Sequence, residues 1–577
     1  MEGHLRVDKL SSIDLEQHYY KALPESKRCQ ARVSQTVPCK FSPDTLLDRV
    51  LYLSSADDEF CVGESVHERA KMARATAQVC RRWRQRALNT PSIWLGPVLS
   101  WYSHPAWLSI VLERSNPLPF PAFIPYEALE RYPADTLLVI LKHLPRIQHL
   151  DMTVGFRLWQ MVIESKYLEQ QAPCLQTFNL SIADESERRK ISIPEQENLF
   201  GGWAPLLRQF RVEHCPINLA RKMYSGLQGL YLDVLHLIPP VQLLNALQNM
   251  PHLEHLHLTR RPGNPRFIVD TPDLPPIHLA KLQDLQVSDS ASVSAGVLKN
   301  LRFPSSCSIR LRIYHASDGR YLREIRKQLR NSLSEWGCEP LTGRLILTIG
   351  ATSLTFTVEA PDVDQASDMV HPHVSLAFSW EPDTSSSTTL LSLFTLIAPV
   401  FQSCEAPPDT LVVYSDLRLP TQMRNQFSKW LRKMDTIQSL ELHTNAAFSL
   451  LKLRLEVSDD DTSLETLSIY GTFDEDEEPV LLPFLTDLIL VDVNFPSERR
   501  RYWKRLMSTL KLRQDTGYPL MLVDFVHCVG EIDLRDVGRY VAEVKKDGED
   551  YDELDDSDED TSGCDSDYTI QADSDIE

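Results

Sequence analysis

The sequence predicts an α/β chain with three parts. A small helical module lies near the amino terminus, an irregular array of strand-plus-helix repeats stacks into a solenoid, and an acidic carboxy-terminal tail lacks fixed structure. Three observations carry this reading. An apolar-x-x-apolar-x-apolar motif occurs nine times between residues 147 and 490. Two amphipathic helical stretches, 42–53 and 68–88, precede its first copy. Residues 547–577 contain 15 Asp or Glu and no Lys or Arg.

Composition agrees with a folded chain. At about 150 residues per domain, 577 residues give three to four domains or one long array. Apolar residues make up 42%, enough for a large core, which excludes wholesale disorder. The net charge is −20, and taking away the 15 tail acids leaves −5 for residues 1–546. A chain of this charge is a poor candidate for holding bare nucleic acid or anionic lipid over its whole surface. The start has no basic segment followed by an apolar run, so no secretory signal is expected. The longest apolar stretch, Leu390 to Phe401, is broken by Ser392, Thr395 and Pro399. It falls short of the roughly 20 residues that span a bilayer. The 11 cysteines are scattered without a C-x-x-C pair. That fits reduced thiols and a cytoplasmic or nuclear location.

The elements follow in order. Residues 1–40 are polar and irregular. In the helical module, residues 41–95, Ser42 caps a helix and Pro43 suits its first position. Leu46, Leu47, Val50, Leu51 and Leu53 form its apolar stripe. A polar loop, 54–59, leads to a second helix over Glu68 to Leu88. Met72, Thr76, Val79, Trp83 and Ala87 lie on one face of it, widened by Ala73, Ala77 and Cys80. Asn89, Thr90 and Pro91 end the helix, and Trp94 follows. Two helices this short cannot cover their own apolar faces.

Residues 100–300 carry the first six motif copies. Their central apolar residues are Leu150, Phe178, Phe210, Leu230, Leu256 and Leu285, a mean period of 27. This lies within the roughly 20–29 residues of leucine-rich-type repeats. Each copy is a strand whose alternate residues point inward, and linkers such as Val241 to Asn249 read as helices. Residues 301–430 read as an irregular continuation, with strand-like pieces at 309–313, 344–349 and 353–358 and loops at 385–389 and 405–409. Residues 431–546 hold the last three copies and a cap, including a basic amphipathic helix at 497–512. That helix is a candidate dock for the acidic tail, residues 547–577.

No phosphate-binding, nucleophile-elbow or zinc-helix motif is present. The chain therefore reads as a non-enzyme without cofactor. His252, His255 and His257 resemble a metal cluster only loosely. On alternate strand positions, His255 and His257 read as a solvated or partner-facing pair. The run Arg81 to Arg86 reads as a solvated helix face.

At these residues a resemblance emerges. Phe41 to Leu53 (FSPDTLLDRVLYL) resembles the opening of an F-box, and Val79 to Trp94 (VCRRWRQRALNTPSIW) resembles its close. With the repeats, the chain looks like fungal F-box proteins bearing leucine-rich-type repeats. The resemblance implies a substrate-recruiting adaptor. The F-box would pack on a Skp-type linker joined to a cullin ligase core, and the repeats would hold a protein substrate for ubiquitin transfer. Carried over by motif, the linker-binding residues of the first helix are Phe41, Pro43, Leu46, Leu47, Val50 and Leu51. Those of the second stretch are Val79, Cys80, Trp83 and Trp94. Substrate-binding candidates are the outward strand positions Tyr231, Asp233, His255 and His257, then Glu441, His443 and Tyr470. The alternative is a repeat scaffold outside any ligase, binding a protein partner such as a basic one, with both helices capping the array.

Overall fold

The computed structural model describes residues 73–78, 80–95, 105–124, 133–183, 198–215, 217–233, 238–260, 275–316, 318–334, 343–359, 374–381, 386–401, 408–415, 417–444, 446–447, 482–495, 501–530 and 532–550. The first amphipathic stretch, Val79, Tyr470, the motif copy at 464–469 and residues 551–577 lie outside this set. The chain divides into two compact units, Met1–Gln148 and His149–Glu577.

In the first unit, the helix expected over 68–88 is interrupted. Helical turns at 73–76 end at Ala77 and Gln78, and α1 restarts at Arg81–Leu88. Cys80 is its extended N-cap, with φ −157°. The Arg84 side chain donates from Nε to the Ala77 carbonyl at 2.9 Å, supplying a partner that a continuous helix would have taken from the backbone. The break turns Cys80 outward, so it is exposed and does not belong to a buried stripe. A short turn, Pro91–Trp94, buries Trp94 completely. Helix α2 (Pro105–Arg114) sets Trp107 edge-on to it at 6.2 Å and Arg114 over its ring at 4.5 Å. Strand β1 (Phe120–Ile124) and helix α3 (Pro133–Leu141) follow. Arg146 binds this unit together: Nη1 donates to the Leu112 carbonyl (2.8 Å), and Nε and Nη2 donate to that of Leu118 (2.9 and 2.7 Å). These carbonyls lie at or just past the end of α2, where helical partners run out.

The second unit is a large, mainly parallel sheet with helices between strands. Its strands are β2 (Ile147–Val154, counted here although the unit boundary falls within it), β3 (Thr177–Ile182), β4 (Gln209–Glu213), β5 (Gly229–Asp233), β6 (His255–Thr259), β7 (Asp284–Ser290) and β8 (Ser308–Tyr314). Then come β9 (Arg344–Ile349), β10 (Ser353–Glu359), β11 (Val374–Ser379), β12 (Thr410–Ser415), β13 (Ser439–Thr444), β14 (Asp487–Val491), β15 (Leu520–Val526), β16 (Val541–Lys546) and β17 (Glu549–Asp550). The helices are α4 (Phe156–Ser165), α5 (Pro240–Leu247), α6 (Ala291–Asn300), α7 (Gly319–Ser334), α8 (Ser386–Ile397), α9 (Thr421–Leu431), α10 (Arg501–Asp515) and α11 (Leu534–Gly538).

The recurring motif explains the register. From β2 to β8 the strands pair in sequence order and in parallel, so Leu150, Phe178, Phe210, Leu230, Leu256, Leu285 and Ile309 form one buried row. The motif's first apolar residue is buried just before each strand, as at Leu175, Leu207, Leu227 and Leu253. The residue after it uses its carbonyl to hold the next repeat: that of Gln228 accepts from the Glu254 and His255 amides at 2.7 and 2.9 Å. Identical hydrogen bonding at each step keeps the alternate side chains in register. Aromatics fill the wider parts of the core. Phe178 meets Phe200 at 5.1 Å and Phe210 at 5.4 Å, and farther along Phe394 packs on Phe427 and Trp430, both at 5.5 Å.

Residues 301–430 continue this sheet but invert the strand order. After β8 the neighbours run β11, β10, β9, β12, with β10 antiparallel to both β9 and β11. The cause is local. Gly350 donates its N–H to the Ser353 carbonyl at 2.9 Å, and so tight a turn joins only antiparallel strands. Its Cβ position would lie 2.5 Å from Ser353 Oγ, so a side chain there would force that hydroxyl to turn away. Two expectations change. The loop read at 385–389 falls largely within α8, whose Ser- and Thr-rich start shows no apolar spacing until Leu390. The first four residues of the expected tail, 547–550, belong to the sheet, because Asp547 and Gly548 at φ 55° and 83° turn β16 back into β17. Two consecutive positive φ values suit a two-residue hairpin.

Candidate functional site

The sheet face opposite the buried rows carries polar and aromatic side chains, and two similar clusters form on it. In the first, Tyr231 on β5 and His257 on β6 stand opposite each other, their rings edge-to-face at 4.6 Å. His257 Nε2 shares a 2.5 Å hydrogen bond with Asp284 Oδ2 on β7, and Arg310 Nη2 on β8 approaches the other carboxylate oxygen at 3.7 Å. His255 stands opposite Asp284 in the register. Burial pushes the Asp284 carboxyl up, but His257 and Arg310 outweigh it and hold the group below its ordinary value. Burial, reinforced by the Asp284 charge, pushes the Tyr231 phenol up.

The second cluster repeats these residue types with a glutamate. Tyr414 on β12 stacks on His443 of β13 at 3.9 Å. His443 Nε2 lies 2.6 Å from Glu441 Oε1, and Arg344 Nη2 on β9 donates to Glu441 Oε2 at 2.6 Å. Glu441 and His443 are largely buried, whereas Tyr414 stays exposed. Burial and the Glu441 charge both push the Tyr414 phenol up. Two strands, β11 and β10, lie between Arg310 on β8 and Arg344 on β9, so the clusters approach to roughly 14 Å at ordinary spacing. The floor between them is smaller in side chain, with Thr357 and Ser375 hydroxyls 3.3 Å apart.

In each cluster an acid fixes a histidine, the histidine fixes a tyrosine ring, and an arginine offsets the acid. A ring held this way gives up little rotamer freedom when a partner covers it, which favours binding. A third ionic group adjoins the first. Glu213 on β4 accepts from Ser181 Oγ at 2.8 Å and from Arg211 Nη2 at 2.9 Å. Burial opposes ionisation of Glu213, yet those two partners bring its carboxyl below the usual value.

Of the sequence candidates, Tyr231, His255 and His257 come together, and so do Glu441 and His443. Asp233 lies apart, 3.6 Å from His214. Sequence reasoning missed Asp284, Arg310, Arg344 and Tyr414. Each sits on a neighbouring strand, so only the register reveals it. No group of three or more metal-ligating side chains occurs among the described residues. Among the linker-binding candidates, Cys80 is exposed and Trp83 half-buried. The Trp94 ring is fully buried within this chain, with Nε1 donating to the Ala87 carbonyl at 2.8 Å. No helix among the described residues is long and apolar enough to cross a membrane. No protein-family model matches the chain, and no curated protein matches it.

Proposed function

We propose that the chain is a recruiting adaptor of a Skp/cullin-type ubiquitin ligase. Its residues 41–95 form an F-box for the linker, and its strands form a leucine-rich-type solenoid for a protein substrate. The observation that carries the substrate half is the pair of Tyr–His–acid–Arg clusters. They place two immobilised rings on one sheet face, and tyrosines held this way are the usual anchors of protein interfaces. The linker half rests on the sequence resemblance and on α1, where Trp83 is half-buried and Leu88 remains 39% exposed. The adaptor performs no bond chemistry; it raises the local concentration of substrate at the conjugating enzyme.

One observation favours a second reading, a repeat scaffold outside any ligase. Trp94, which the resemblance assigns to the linker, is already used inside the chain. Co-purification of the full chain with a Skp-type linker decides between them. The adaptor reading expects a complex that Trp83→Ala disrupts while the melting temperature stays within a few degrees. Absence of a complex with the unaltered chain favours the scaffold.

A further inference from the structure

Helix α7 presents a basic face, and the two helices packed against it offer no acid among the described residues. Its inward side, Leu322, Ile325 and Leu329, is buried. Arg320, Arg323, Lys327 and Arg330 fall at steps of three, four and three and are all exposed, with Arg326 half-buried beside them. Such spacing puts them on one side of the helix. Arg320 pairs with Asp318 at 3.0 Å. Arg323, Arg326, Lys327 and Arg330 make no salt bridge or side-chain hydrogen bond among the described residues. Glu324, the one acid in α7, accepts instead from Gln328 at 2.7 Å. Helix α7 packs against α6 and α8. The first has Lys299 as its single charged residue and the second has none. Helices α6 to α10 together carry 13 Lys or Arg and 2 Asp or Glu, in a chain of net charge −20.

We propose that the acidic end of this same chain, residues 551–577, docks on the basic face of α7. Charge complementarity is the first reason: the segment holds 12 Asp or Glu and no Lys or Arg. Reach is the second. The segment leaves the sheet after β17, nine strand places from β8, or roughly 43 Å along the sheet. Its 27 residues extend to about 90 Å. Tethering is the third, since a segment joined covalently to the surface it binds meets it at local concentrations on the order of millimolar. The sequence pointed to the basic helix at 497–512 as the dock; among the described side chains of that stretch, the structure engages one base within the chain. Arg505 lies over the Tyr502 ring; just past the stretch, Arg513 is buried and donates to the Leu482 and Leu485 carbonyls. Among the described side chains of 497–512, Lys504 and Lys511 remain exposed, against four exposed bases on α7. Docking on α7 is independent of the adaptor reading. It would leave the Tyr–His–acid–Arg face open, because α7 covers the opposite side of the sheet.

Carbodiimide cross-linking of the full chain, which joins a lysine only to a carboxylate in contact with it, tests this. At low salt the monomer band should contain Lys327 joined to acids within 552–577. Raising salt to about 0.5 M, where the Debye length is about 4 Å, should lower the yield about ten-fold. The double variant Arg323→Glu, Arg330→Glu, which keeps Lys327 and alters only exposed positions, should do the same with an unchanged melting temperature. Links to Lys504 or Lys511 in place of Lys327, links only between two chains, or a yield insensitive to the double variant would overturn the proposal. So would a full chain that binds a short oligouridine as tightly as the chain ending at residue 550, because the basic face would then be open to outside polyanions.

Discussion

Replacing Asp284 by Asn removes one charge from the first strand-face cluster and nearly nothing else. The Asp284 and His257 side chains are 15% and 25% exposed, so solvent screens their contact only partly. A charge-assisted hydrogen bond in such a setting contributes about 1.5–3 kcal/mol. Arg310 is 51% exposed and adds little. Asn keeps the size and one acceptor, which puts the expected loss at the lower end, about 1.5 kcal/mol. Amides of β6, β7 and β8 should then exchange about ten-fold faster at neutral pH, reporting local opening. The pH dependence follows from the direction of the shift. The Asp284 carboxyl titrates below its ordinary value in the folded chain. Its stabilisation is therefore complete above the unfolded value near 3.9 and is lost as pH falls through the lower folded value. The difference between the two proteins should persist at pH about 5 and close in stronger acid. A difference under about 0.5 kcal/mol at neutral pH, or one that survives full protonation of the carboxylate, would refute the assignment.

Three further outcomes follow from other contacts. Arg146→Met should destabilise the first unit by about 1–3 kcal/mol, because it strands the Leu118 carbonyl and leaves that of Leu112 only the Ser115 hydroxyl; Arg146→Lys should recover little, since one ammonium cannot reproduce the guanidinium fork. Exchange at residues 112–118 is the measurement. Gly530→Ala should cost more than about 2 kcal/mol in a thermal melt, as its φ is 112° and the added carbon would meet the Phe495 carbonyl oxygen at 2.0 Å. Trp94→Phe removes the donor to the Ala87 carbonyl and part of the contact with Trp107. It should lower stability by about 1–3 kcal/mol, visible in the melting temperature of the full chain.

The repeat strands were legible because each motif copy carries its own pattern. Alternating apolar residues fix the inward face of a strand wherever it pairs, and Leu150 through Leu285 fell into one row as the spacing required. Strand direction was not legible in 344–379, because an antiparallel pair and a parallel pair demand the same alternation; a three-residue turn at 350–352 decided it. The break at Ala77–Cys80 was hidden for a similar reason. Helical spacing continues across it, and the Arg84 side chain that supports the break leaves no mark in a hydrophobic pattern. On the strand face, residues such as His257 could be picked from position alone. Their partners Asp284 and Arg310 lie one and two repeats away in sequence, so identifying them needed the pairing. The tail's lack of basic residues was plain from composition, whereas the place where the sheet ends depended on the Asp547–Gly548 turn.

Parallel neighbours built from near-identical motifs have a weakness: a strand could settle beside the wrong copy with little change in its inward side chains. The β9–β10 hairpin has no such freedom, since its short turn permits a single partner. Standing between the run ending at β8 and the run beginning at β12, it acts as an index mark. A slip on one side cannot be passed to the other, and gain or loss of a whole motif copy is tolerable only within one run at a time.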